Sequence, residues 1–236
     1  MGSLNDFARK VGRDLADSNI EIDNWLIDTI DNHLDGMFDS PRKGVFYPSS
    51  IANPCDRMLW LSFNGLMPRM PLPPNLKRIF ENGSSLEERV SKWFEDLGLL
   101  LDREISVKFA DPPISGRIDF LIKHQDGHIY PIELKSINQR GFSALKRPKP
   151  EHSVQLQMYL NMGDFSRGSV LYECKDNQKL KAYAIERNED EWQRILERCL
   201  KIQNMEDDPI HCTGESYCDC KKVTKEDVWK MRKAQI

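Results

Sequence analysis

Apolar residues along the chain fall into helical and strand-like periods separated by breaker-rich stretches. Ile22, Trp25, Leu26, Ile30, Leu34 and Met37 recur at three- and four-residue steps, which predicts an amphipathic helix ending before Asp39-Ser40-Pro41-Arg42-Lys43-Gly44. A second helix is predicted from near Asn53-Pro54, and the prolines between Met67 and Pro74 enforce an extended connection. From Ser84 to Leu97, the positions Leu86, Val90, Trp93, Phe94 and Leu97 keep helical period, with Ser84 or Ser85 as N-cap. After Gly98 the period becomes two, at Ile105, Val107 and Phe109. Strands follow over Arg117 to Lys123 and His128 to Ser136, joined by the hairpin signal Gln125-Asp126-Gly127. A helix from about Glu151 to Asn161, a hairpin of Ser169 to Lys175 and Leu180 to Glu186 around Asp176-Asn177, and a long helix from Asp190 to Met205 complete the pattern. A mostly antiparallel set of strands with a helix inserted predicts an α/β fold, a sheet flanked by helices.

Composition narrows the class without changing this outline. At 236 residues, 39% hydrophobic and 30% charged, the chain can bury one core. No apolar run reaches the roughly 20 residues of a membrane span and no secretory signal opens the sequence, so an intracellular protein is expected. In that setting the six cysteines are read first as metal or cluster ligands. The net charge of -3 excludes a uniformly basic surface, but charge is uneven: residues 1–40 carry nine acidic and three basic side chains, and 221–236 carry six basic and two acidic. Lys146, Arg147 and Lys149 form a short basic run that suits either phosphate steering or a solvated loop.

The central hairpin concentrates the chemistry. Asp119 and Glu133 are equidistant from Asp126, so a three-residue loop sets them opposite one another and on one face. Lys135, two residues beyond Glu133, shares that face. Two carboxylates beside an ammonium suit a hard divalent cation, with the lysine orienting or deprotonating a nucleophile or stabilising developing charge. No P-loop, GxGxxG or nucleophile elbow is present. His33, His124, His128 and His152 show no metal-ligand spacing; His124 and His128 straddle the hairpin turn and are expected at the surface, and His152, three residues before Gln155, is placed at a surface helix start in preference to the cleft.

Gly116-Arg117-Ile118-Asp119 followed by Glu133-Leu134-Lys135 resembles the second and third motifs of the PD-(D/E)xK nucleases, RecB-like branch. Gly83-Ser84-Ser85-Leu86-Glu87 is similar to the first motif, and Gln155-Leu156-Gln157-Met158-Tyr159 to the QxxxY motif. The resemblance spans roughly residues 50–222. It implies a restriction-endonuclease-like core with a mixed central sheet. It also implies a Mg2+ or Mn2+ site of Glu87, Asp119, Glu133 and Leu134, with Glu88 in reserve for Glu87. Lys135 would act with Asp119 and Glu133 as the catalytic set, while Gln155 and Tyr159 would contact substrate or steady the lysine. The implied domains are an N-terminal helical arm over 1–45, the nuclease domain over 46–222 and a basic tail over 223–236.

Cys55 precedes this core and Cys212, Cys218 and Cys220 follow it, an arrangement similar to the iron-sulfur nucleases of the AddB and CRISPR-associated types. That likeness implies a [4Fe-4S] cluster. Thiolates suit structural zinc equally, with His211 as an additional donor. Cys174 and Cys199 lie in apolar stripes and are expected to be buried and free. The implied function is a metal-dependent DNA exonuclease acting on single-stranded DNA or DNA ends, in recombination, repair or processing, in a bacterial, archaeal or phage setting. Protein partners or self-association accompany that expectation. The alternatives are a non-catalytic nucleic-acid-binding subunit that keeps the fold, and a zinc-stabilised interaction protein.

Overall fold

In the computed structural model, residues 22–34, 43–67, 72–209, 212 and 218–233 are described. Met37, residues 68–71 of the proline stretch, His211 and much of the expected arm lie outside them. Helix α1 (Asn24–Leu34) forms as its periodicity predicts, but its apolar stripe stays largely in water: Ile22, Trp25, Leu26, Ile27 and Ile30 are exposed and only Leu34 is buried. An ion pair from Asp31 to Arg78 ties it to the long helix that begins at Pro74. After a single turn, α2 (Pro48–Ile51), comes α3 (Asp56–Phe63), whose N-cap is Cys55, its sulfur accepting from Met58 N at 3.4 Å.

Helix α4 (Pro74–Asp96) is longer than its sequence signals suggest. Ser84 and Ser85 sit inside it rather than capping it, and Pro74 at the first turn supplies the start. Gly83 costs a helix interior about 1 kcal/mol, which burial of Leu86 and Val90 offsets. Trp93 and Leu97, expected on the packed face, are exposed; Trp93 lies under the Arg89 guanidinium at 5.5 Å.

Five strands follow: β1 (Leu100–Phe109), β2 (Ile114–Lys123), β3 (Ile129–Ile137), β4 (Arg167–Cys174) and β5 (Leu180–Glu186), in that spatial order. Neighbours are antiparallel except β3 and β4, which run parallel. The crossover joining those two carries α5 (Gln139–Ala144) and α6 (Pro150–Met162). The expected mixed sheet flanked by helices is therefore present. One turn of α5, capped where Asn138 accepts from Gly141 N at 2.8 Å, is too short to show a period in sequence.

Alternation sorts the two faces. Phe120, Ile122, Tyr130, Ile132 and Leu134 pack on Leu86 and Val90 of α4. On the other face, Ile137, Val170, Tyr172 and Cys174 pack on Leu156 and Leu160 of α6. A third cluster joins Phe46, Trp60, Leu61 and Met158 to Trp192, Cys199 and Ile202 of α7 (Glu189–Gln203), and reaches Val223 and Val228 at the chain's end. Val228 belongs to α8 (Lys225–Lys233), so part of the basic C-terminal segment is packed into the core. No described helix is long and apolar enough to cross a membrane.

Candidate active site and cysteine centre

A tight turn fixes the hairpin register. Gly127 at φ 87 donates to His124 O at 2.9 Å, a left-handed position that glycine adopts freely. The ladder runs from Lys123↔Ile129 to Phe120↔Ile132, and the same register sets Asp119 against Glu133. At that step Leu134 N donates to Asp119 Oδ2 at 2.7 Å. Glu133 and Lys135 pair with Val170 and Tyr172 of β4, so they face α6. From that helix Gln155 and Tyr159 reach the same cleft, Gln155 Nε2 lying 3.2 Å from the Tyr159 hydroxyl.

Gly116 explains how α6 comes so close. A Cβ there would meet Tyr159 Cε1 at 2.6 Å and Pro48 Cγ at 2.8 Å, so only glycine admits both rings against β2. The cleft is open and polar, walled by Tyr47, Ser49, Ser106, Ser115 and Arg117 around Asp119, Glu133 and Lys135. The serines and Tyr47 carried no sequence signal, being isolated polar residues on three separate segments.

Electrostatics single out the carboxylates. Glu133 is 1% exposed; burial, then the charge of Asp119, pushes its carboxyl up to about 8 against the pull of Lys135. The Lys135 ammonium pairs with Oε1 of Glu133, and Oε2 has no hydrogen-bond partner among the described residues. Asp119 is raised to about 6 by burial, opposed by the Leu134 N–H and Lys135. Glu87 is half-buried where α4 meets Asp119, and burial and Glu104 raise its carboxyl while Arg117 and Lys135 lower it. Glu88, by contrast, is exposed and paired with Arg103 at 3.1 Å. Buried Glu133 and half-buried Asp119 share a single nearby ammonium, so ionising both carboxyls leaves excess negative charge, which a divalent cation would neutralise. Asp119, Glu133 and Glu87 are the side chains placed to hold it, and Leu134 can add only its main-chain carbonyl.

His152 departs from expectation. Rather than lying at the surface it is half-buried on α6, its Nδ1 2.7 Å from the Tyr172 hydroxyl, which also accepts from Lys149 N at 3.0 Å. Burial, then the Lys135 charge, lowers the imidazole to about 4, so it is neutral near pH 7. His124 is half-covered by its stack on Tyr130. Lys146 and Arg147 are exposed, and Lys149 is half-buried beside Glu151 at 3.8 Å.

Across the molecule, the sulfurs of Cys55, Cys212, Cys218 and Cys220 all lie within 4.8 Å of one another. Burial raises the Cys55 thiol, but the Met58 N–H and its thiol neighbours outweigh this and bring it down to about 7. Cys174 and Cys199 are buried, free and apart from this group.

No protein-family model matches the sequence, and no curated protein does. Among solved structures, an alkaline exonuclease from Laribacter hongkongensis superposes with a TM-score of 0.50 at 16% identity, over 81% of this chain and 94% of that one. This chain shares that protein's fold. The same enzyme in complex with dAMP gives a TM-score of 0.50 at 17% identity, again over 81% and 94% of the two chains.

Proposed function

We propose that this chain is a divalent-metal-dependent deoxyribonuclease acting at DNA ends, with single-stranded ends as the preferred substrate. The observation that carries the proposal is the acidic pair of buried Glu133 and half-buried Asp119. Asp119 and Glu133 sit on facing strands with raised carboxyls, beside Lys135, in a cleft open to a polymer. A stable interior avoids that combination unless the charge has work to do. The fold shared with an alkaline exonuclease, and that enzyme's complex with dAMP, support DNA as the polymer.

Asp119, Glu133, Glu87 and the Leu134 carbonyl would hold Mg2+ or Mn2+, which when bound would supply Lewis acidity toward phosphate oxygens and lower the pKa of water. The chain's own side chains do the rest. Lys135, fixed by Glu133, orients the attacking water and counters charge on the phosphate as the water oxygen bonds to phosphorus and gives up a proton, the bond from phosphorus to the leaving oxygen breaks, and that oxygen takes a proton in its place. Tyr159, its hydroxyl kept protonated by burial, and Gln155 offer donors to the strand. The serine-lined wall and Arg117 take flanking phosphates. The cysteine centre staples Cys55 to the C-terminal segment through a thiolate-bound group. The family resemblance makes that group a [4Fe-4S] cluster, whereas the sulfur spacing favours zinc. The setting is inside a cell that processes its own or phage DNA.

Linear and circular DNA, single- and double-stranded, incubated with Mn2+, Mg2+ or EDTA, test the proposal. Metal-dependent loss of linear single strands with circles spared is expected. DNA binding without cleavage in any metal would replace the enzyme with a non-catalytic binding subunit.

A further inference from the structure

The cysteine centre carries a distinction that the order of cysteines in the sequence does not. In a [4Fe-4S] cube each thiolate binds a different iron at a corner, which holds the four cysteine sulfurs about 6 Å apart. In a tetrahedral zinc site all four bind one ion at about 2.3 Å, which sets the sulfurs about 3.8 Å apart. Here Cys55 Sγ lies 3.6 Å from Cys212 Sγ and 3.5 Å from Cys220 Sγ, and Cys218 Sγ lies 3.4 Å from Cys220 Sγ. All four fall within 4.8 Å. The spacing matches one ion and leaves no room for a cube.

The surrounding structure holds that spacing. Cys55 caps α3, and Arg57, two residues on, donates from Nη1 to Cys220 O at 2.5 Å and from Nη2 to Val223 O at 3.0 Å. The same guanidinium forms a buried ion pair with Asp208 at 2.7 Å. These bonds pin the carbonyl of one cysteine to the helix that begins at another. Cys55 and Cys220 are both fully buried, packed with Trp60 and Ile51. These contacts keep Cys55 and Cys220 at the short separation that a single shared ion sets.

We propose that Cys55, Cys212, Cys218 and Cys220 bind a single tetrahedral zinc ion and not an iron-sulfur cluster. Zinc is redox-inert, so the centre is a structural staple that closes the C-terminal segment on α3. The inference stands apart from the nuclease reading, because its measurement is metal content rather than cleavage.

The test is elemental analysis and sulfide assay of full-length protein purified without oxygen from cells supplied with both iron and zinc. About one zinc per chain, with no acid-labile sulfide, is expected. Exchange with Co2+ should then give the intense visible bands of a tetrahedral cobalt thiolate, lost in Cys218→Ser, whose position is half-buried and so tolerates the change. About four iron and four sulfide per chain with a broad band near 400 nm would overturn the proposal. So would a folded protein holding neither metal.

Discussion

Replacing Glu133 by glutamine should stabilise the metal-free protein at pH 8 while removing its activity. Burial and the Asp119 charge raise the Glu133 carboxyl to about 8 in the fold, against an ordinary value near 4.3. Between those limits the folded chain binds more protons than the unfolded one, so stability falls as pH rises from about 4.3 to about 8 and levels off above. Each pH unit is worth about 1.4 kcal/mol, so at pH 7 the ionisable carboxyl withholds about 4 kcal/mol from the metal-free fold. For a domain of this size that is roughly 8–16 °C in Tm. Thermal melts from pH 5 to 9 without added divalent cation would read it. The wild-type midpoint should fall with pH, and that of Glu133→Gln should fall less and lie higher at pH 8. Mn2+ should raise the wild-type midpoint most at pH 8, where the carboxylates are ionised to receive it, and leave the variant nearly unchanged. Parallel pH profiles, with the variant melting below wild type at pH 8, would refute the reasoning.

Three further outcomes follow from named contacts. Gly116→Ala forces a Cβ into Tyr159 and Pro48, which should cost about 1–3 kcal/mol in urea melts and lower turnover by displacing α6. Glu87→Ala should cut metal-dependent cleavage at least about tenfold, whereas Glu88→Ala, which loses only an exposed pair with Arg103, should leave it within about twofold. Arg57→Ala strands buried Asp208 and frees Cys220 O and Val223 O. It should cost about 3–5 kcal/mol in denaturant melts and lower retention of metal at the cysteines.

The site was legible because short-range rules govern it. A three-residue turn sets the register, alternation puts Glu133 and Lys135 on one face, and i,i+4 spacing puts Gln155 and Tyr159 together. Alternation and hairpin signals likewise outlined the sheet. What stayed hidden depends on tertiary contact. The place of His152 three residues before Gln155 left the cleft open to it, but nothing near it in sequence indicates its bond to Tyr172, twenty residues away. Helix α4 runs through Gly83 because packing overrides a local breaker, and α1 shows that an amphipathic period need not be buried, since Trp25 and Ile30 remain in water. The one-plus-three order of cysteines hinted at a shared centre, but the distances among the sulfurs come only from the fold.

Cleavage of end-labelled single-stranded DNA in Mn2+ by wild type, Lys135→Ala and Asp119→Ala tests the account most directly, with circular dichroism to show that each variant is folded. Wild type should degrade the strand, and both variants should lose at least about a thousandfold in rate. Cleavage that survives either substitution in a folded protein would contradict it.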